Sequence, residues 1–259
     1  MRAHFGRDFP NLFSSEECKL SVLILLFGFT LALSTLFVFG VLRFAKKRSL
    51  FDQIDERKVH TEQIPRLGGV GFISAYMVVI FALTVLGFWG EQLSLSFSMV
   101  LAAMTLILIF GIWDDLKPLR ARYKMGIQIL AALLIVFSGY RFRSISASEF
   151  GLSVQLGLWS YPLTVLWIVG IINAINLIDG IDGLSGGLSF IILASYGFIF
   201  LFLGQQQEFI LCLLLMAAIT GFLVFNAPLP RAKIFMGDTG IQFLGLFIAI
   251  IPLMVFVRI

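Results

Sequence analysis

Five aspartates stand where apolar runs of this chain give way to polar residues. Asp114 and Asp115 are adjacent in "FGIWDDLKPLRARYK", Asp179 and Asp182 lie in "NAINLIDGIDGLSGG", and Asp238 lies in "KIFMGDTG". Asn176, Asp179 and Asp182 form N-x-x-D-x-x-D, and steps of three keep side chains on one side of a helix. Carboxylates suit hard cations such as Mg²⁺, which usually take one or two of them plus substrate phosphates. Neighbouring Lys and Arg residues suit the phosphates themselves, and glycines let a backbone approach closely. The combination reads as metal-assisted phosphoryl transfer. A substrate for such a site carries a phosphate at the membrane surface and a tail in the bilayer.

Each acid also has a structural alternative. Asp238 could cap the helix it opens, as Asp often does. Asp114 and Asp115 could simply pair with Arg120, Arg122 or Lys124. The grouping weighs against these readings. Adjacent carboxylates repel unless something neutralises them, and ionisable groups at membrane depth mark functional sites by default.

The elements that must position these residues are membrane helices. The chain has 259 residues, 59% hydrophobic and only 13% charged, with a mean hydropathy of +0.99. A soluble domain carries about twice that share of charge. A spanning helix needs about 20 mostly apolar residues, and eight such runs are expected, near 20–42, 69–89, 96–113, 125–140, 159–177, 187–204, 209–226 and 239–257. The expected fold is therefore all-α, a polytopic integral membrane bundle of about eight helices. Gly180 and Gly183 are expected to end the fifth helix, so that Asp179 and Asp182 project from a turn into a polar cleft and not into lipid. The longest loop on the opposite side, 141–158, has polar residues and alternation that allow a short hairpin.

The basic residues choose the side. Arg43, Lys46, Lys47, Arg48, Arg57, Lys58, Arg66, Lys117, Arg120, Arg122, Lys124, Arg231 and Lys233 all fall in connections on the face that holds the acids, 13 of the 19 Lys and Arg. The positive-inside rule makes that face cytoplasmic and puts the N-terminus outside. The net charge of +4 then points to anionic lipid headgroups or a phosphorylated substrate and away from nucleic acid. Cys18 and Cys212 suggest neither a disulfide nor a metal site. No small-residue cleavage site follows the first apolar run, so no signal peptide is expected.

Four stretches occur in a telling order: "ERKVHTEQIPRLGGVGF", "GIWDDLKPLRARYK", "NAINLIDGIDGLSGG" and "FNAPLPRAKIFMGDTG". Together, across about residues 43 to 245, they resemble the polyprenyl-phosphate N-acetylhexosamine-1-phosphate transferases, of the glycosyltransferase family 4 type. The resemblance implies an enzyme of the bacterial inner membrane with its active site on the cytoplasmic face. Such an enzyme transfers a sugar-1-phosphate from a UDP-N-acetylhexosamine to undecaprenyl phosphate, releases UMP and starts a cell-envelope polysaccharide such as O-antigen. It implies Mg²⁺ as cofactor, with Mn²⁺ as a second candidate, and a homodimer among the assemblies to test. By the same resemblance, Asp114 and Asp115 match the paired catalytic acids, the first activating the lipid phosphate. Asp238 matches the magnesium ligand. Asn176, Asp179 and Asp182 match the nucleotide-side motif, Lys124 a phosphate-binding cation, Phe235 an aromatic that stacks on uracil, and Asn226 a polar residue near the uridine. His60 fits the branch reading R-K-x-H before P-x-x-G-G. That loop, with "IPRLGG" and the spacer between Asn226 and Phe235, favours a UDP-GlcNAc enzyme over the muramyl-pentapeptide one.

One departure accompanies the match. The family carries further helices and a His-rich cytoplasmic loop beyond the point matching Ile259. The expectation is accordingly one transmembrane transferase domain over 1–259 without those parts. The alternative is a shortened homologue that binds lipid phosphate or partners a full-length enzyme. A transporter is disfavoured, because the acids lie at helix ends on one face and no inverted repeat is visible. The Asp spacings of "NLIDGIDGLSGG" also differ from those of intramembrane prenyltransferases.

Overall fold

The computed structural model describes residues 16–50, 64–89, 95–147, 152–227 and 231–258. Among them, eight α-helices follow one another: α1 (Glu16–Lys47), α2 (Gly68–Val85), α3 (Leu95–Leu116), α4 (Ala121–Phe137), α5 (Ser160–Ile178), α6 (Leu184–Phe202), α7 (Gln206–Asn226) and α8 (Gly237–Arg258). A helix stands at each of the eight expected positions, with ends shifted by a few residues. Seven of the helices are long and apolar enough to cross a membrane. The remaining one, α4, has 17 residues, the lower end of what a bilayer requires. This is a polytopic, all-α membrane bundle. In hydrocarbon every backbone N–H and C=O must be satisfied within the segment, and for chains of this composition only helices do that.

The expected hairpin is present as well. Strands β1 (Ser144–Ala147) and β2 (Leu152–Gln155) pair antiparallel, Ile145 opposite Val154, between α4 and α5.

Helix α8 is the axis of the bundle. It packs on α5, α3, α2 and α6, and Phe243, Leu244, Leu246, Phe247, Ala249 and Leu253 are all buried. The outer helices instead turn Leu25, Phe29, Phe81, Leu166 and Phe202 outward, an apolar surface suited to lipid. Lipid tails are as apolar as leucine, so helices associate through close packing and small residues. A Cβ on Gly69 would come within 2.3 Å of the Gly240 nitrogen, one on Gly111 within 2.6 Å of Thr239 Cα, and one on Gly245 within 2.7 Å of Ile172 Cα. These glycines let α2, α3 and α5 close on α8. Polar bonds add to the packing: Ser34 donates to the Ala218 carbonyl at 2.6 Å, Trp167 to that of Ala249 at 3.0 Å, and Asn173 to Gln128 Oε1 at 2.8 Å. The α2 ring of Tyr76 meets Phe243 and Phe247 edge-on, at 6.1 and 6.0 Å between centroids.

Candidate functional site: an acidic cluster at one end of the bundle

The cluster is built where α3 and α5 end and α4, α6 and α8 begin. Asp114 lies in the last turn of α3 and is buried. Its Oδ1 accepts from the Leu119 N–H at 2.7 Å, which holds the turn around Pro118 and brings the first turn of α4 back over α3. Lys124 in that turn places its Nζ 2.5 Å from Asp114 Oδ2 and 3.3 Å from Asp238 Oδ1. The Arg66 guanidinium reaches Asp238 Oδ2 at 3.6 Å. Two acids from different helices are thus held side by side by one ammonium, with a guanidinium on the far side.

Asp115 faces another way. Its Oδ1 accepts from the Asp238 N–H at 2.7 Å, and its Oδ2 from the Thr239 N–H at 3.1 Å and the Thr239 hydroxyl at 2.5 Å. Residues 64–69 run alongside the approach to α8. Phe235 N–H donates to the Pro65 carbonyl, Gly68 N–H to that of Phe235, and Gly69 N–H to that of Met236, at 2.8, 2.9 and 2.7 Å. This ladder is what carries Arg66 to the acids. Phe235 itself is half-buried on it.

Asp179 is the C-cap of α5 and accepts a hydrogen bond from the buried Ser185 hydroxyl. Burial pushes its carboxyl above the usual range; the Ser185 bond and the Arg66 charge oppose that, while Asp238 and Asp182 add to it. Asp182 is half-buried in the turn before α6, and Asn176 lies exposed on α5, one turn before Asp179. The turn is tied down by Asn226, whose Oδ1 accepts from the Gly183 N–H at 2.9 Å and whose Nδ2 donates to the Ile234 carbonyl at 2.9 Å. That residue therefore clamps the α5–α6 turn to the strand-like segment that carries Phe235.

The structure thus brings Asp114, Asp115, Asp179, Asp182, Asp238, Lys124 and Asn226 to one end of the bundle, with Phe235 beside them. His60 lies outside the described residues. Arg66, Ser185 and Thr239 are additions that reading the sequence did not single out as site residues. The signal was present, since each sits inside a quoted motif: "IPRLGG", "DGLSGG" and "MGDTG".

The donor set is oxygen-rich and suits a hard cation. Among the described residues no three His, Cys, Asp or Glu side chains converge as a complete metal cage. Mg²⁺ needs no such cage where substrate phosphates complete its shell, and Asp238 with Asp114 offers carboxylates of that kind.

Residues 97–256 match the model for glycosyl transferase family 4. The chain belongs to that family. Similar family members include a probable undecaprenyl-phosphate N-acetylglucosaminyl 1-phosphate transferase of Bacillus subtilis (strain 168), 38% identical over 83% of this chain and 58% of that protein. An undecaprenyl-phosphate alpha-N-acetylglucosaminyl 1-phosphate transferase of Escherichia coli (strain K12) is 34% identical over 86% of this chain and 59% of its own length. A phospho-N-acetylmuramoyl-pentapeptide-transferase of Lacticaseibacillus paracasei is 31% identical over 88% of the chain and 73% of that protein. The chain spans a little under three fifths of the length of the first two relatives it matches. The family match runs from α3 to α8 and so includes every aspartate of the cluster.

Proposed function

We propose that this protein transfers N-acetylglucosamine-1-phosphate from UDP-N-acetylglucosamine to undecaprenyl phosphate at the cytoplasmic face of a bacterial inner membrane. The observation that carries the reading is the Asp114–Lys124–Asp238 bridge at a membrane helix end, in a chain related to transferases acting on undecaprenyl phosphate. The choice of sugar is supported by identities of 38% and 34% to the N-acetylglucosaminyl relatives, against 31% to the muramoyl-pentapeptide one.

In this reading the lipid phosphate oxygen attacks the β-phosphorus of the nucleotide sugar. The bond from that phosphorus to the bridging oxygen breaks, and UMP leaves with that oxygen. Asp114 takes the proton that remains on the lipid phosphate. Lys124 and Arg66 move from carboxylates to phosphate oxygens as substrates enter, since both are donors suited to either anion. Asp238 would hold Mg²⁺, which would supply charge neutralisation for the phosphates during transfer. Asn176, Asp179 and Asp182 face the nucleotide, and Phe235 offers its ring to uracil. A phospho-aspartate route would use the same acids.

The test is an assay of membranes holding this chain, with radiolabelled UDP-N-acetylglucosamine, undecaprenyl phosphate and Mg²⁺. Label should enter lipid as UMP appears in equal amount. Label that stays in the aqueous phase, with the protein folded and present, would sink the proposal.

Phe235→Ala should raise the Michaelis constant for the UDP-sugar and leave lipid dependence unchanged, because a base stacked on an aromatic contributes about 1–3 kcal/mol. Weakened lipid dependence instead would place the ring elsewhere. Orientation has its own check. Single cysteines near Arg48 or Arg120 should resist impermeant thiol reagents in intact cells, and one at the exposed Gln155 should react. The reverse labelling pattern would put the acids outside.

A further inference from the structure

The two adjacent acids of α3 do different jobs. We propose that Asp115 is a positioning residue, a cap supplied from α3 that fixes the first turn of α8 and aims Asp238, and that it touches neither substrate nor metal. The proposal rests on the transferase reading and refines one of its residues.

The geometry separates the pair. Successive residues on a helix point about 100° apart, so Asp114 faces α4 while Asp115 faces α8. Asp114 and Asp238 hold ion pairs with Lys124 and Arg66, contacts that can be exchanged for a phosphate or a cation. Asp115 instead accepts two backbone N–H groups and a hydroxyl, with both of its oxygens engaged. The first N–H groups of a helix have no partner within it. Thr239 is fully buried and Asp238 is 8% exposed, so water offers those groups little. Turning Asp115 towards a metal would strand them, and buried donors left unmade are costly. The helix N-terminus also favours a carboxylate at that place.

The packing around the contact agrees. Gly111 precedes Asp115 by four residues, which puts both on the same side of α3, and Thr239 sits against Gly111 so closely that a Cβ there would lie 2.6 Å from Thr239 Cα. A Cβ at Gly237 would fall 2.7 and 2.8 Å from the Asp115 carboxylate oxygens. The first turn of α8 is therefore seated on α3 by a glycine contact and by the Asp115 carboxylate. Asp238 follows directly from that seat.

The test uses the full chain in lipid nanodiscs, melted first without added metal and then with Mg²⁺ alone. Asp115→Ala should lower the metal-free midpoint by roughly 3–8 °C, the size expected when a helix cap is lost. Asp115→Asn keeps one of the two acceptor oxygens and should recover only part of that loss, because its amide NH2 faces a donor where the second oxygen stood. Thr239→Val should lower the midpoint too. Combined with Asp115→Asn it should cost less than the sum, because the two changes share one contact. In turnover, Asp115→Asn should reduce kcat by ~10-fold with both Michaelis constants unchanged, less than the roughly 10²-fold loss for a 1 Å displacement. The Mg²⁺-induced rise in midpoint should persist in Asp115→Asn and disappear in Asp238→Asn.

A metal ligand or base at Asp115 predicts the opposite signs. Removing one of two neighbouring acids would relieve repulsion, so the metal-free midpoint would hold or rise in Asp115→Ala and Asp115→Asn. Either variant would then lose the Mg²⁺ response as Asp238→Asn does. That pattern overturns the proposal. A wild-type chain that melts as expected yet gives no turnover would defeat the transferase reading alone, because the metal-free midpoint and the Mg²⁺ response together decide the role of Asp115 without turnover.

Discussion

Asp238→Asn should lower turnover by roughly 10²–10³-fold, the usual cost of removing one preorganised electrostatic contact from a reaction centre. The substitution keeps the size, removes the charge and turns one acceptor oxygen into an amide NH2. That charge meets Lys124 at 3.3 Å and Arg66 at 3.6 Å, so both cations lose a charged partner. The fold should survive, because the first turn of α8 is held by Asp115 through the backbone of Asp238 and not through its side chain. Purified variant and wild type should therefore melt within a few degrees of each other, and the difference should appear in kcat at saturating substrates and Mg²⁺. A residue that served only to start α8 would behave otherwise, since Asn is as good at that as Asp. Near-normal Mg²⁺-dependent turnover in Asp238→Asn would remove the metal assignment and leave Asp238 a helix-end residue.

Gly237→Ala should be at least as damaging, for a steric reason. Gly237 has a φ of +75°, a backbone conformation that costs a residue with a Cβ about 1–2 kcal/mol. A Cβ there would also lie 1.9 Å from the Arg66 carbonyl oxygen and within 2.8 Å of both Asp115 carboxylate oxygens. The carbonyl is backbone and cannot rotate away, so the 64–69 segment or the start of α8 must shift. Either movement breaks the register that sets Arg66 and Asp238 face to face. A displacement of about 1 Å is enough to cost roughly 10²-fold in rate, and the strain should lower the melting midpoint as well. The check is melting and turnover measured on the same preparation, with Gly240→Ala as a comparison. A Cβ at Gly240 meets the flexible Met236 side chain at 2.3 Å and Gly69 Cα at 3.0 Å, and should be milder. Equal effects from the two substitutions would mean that the positive φ and the Arg66 carbonyl do not matter.

The division between what was legible in the sequence and what was not follows from the range of the forces involved. Hydrophobic runs of bilayer length determine the eight helices, because backbone polar groups in lipid have no partner except within the helix. The same runs set the depth of the acids, so Asp114, Asp115, Asp179, Asp182 and Asp238 could be assigned to one membrane face from order alone. The alternation in 141–158 announced its hairpin for a similar local reason. Partnership is a different matter. Nothing in "WDD" says that Asp114 turns to Lys124 while Asp115 turns to the start of α8; that depends on how α3 crosses α8, which Gly111 and Thr239 decide by close contact. Asn226, read as a nucleotide-side residue by resemblance, bonds to the Gly183 N–H and the Ile234 carbonyl, groups 43 residues before it and 8 after it in the chain. Arg66 looked like one basic loop residue among many until residues 64–69 paired with 235–236. Helix type and membrane depth are properties of local composition, whereas a side chain's partner is fixed by crossings between distant segments, and only the folded bundle brings those segments within hydrogen-bond reach.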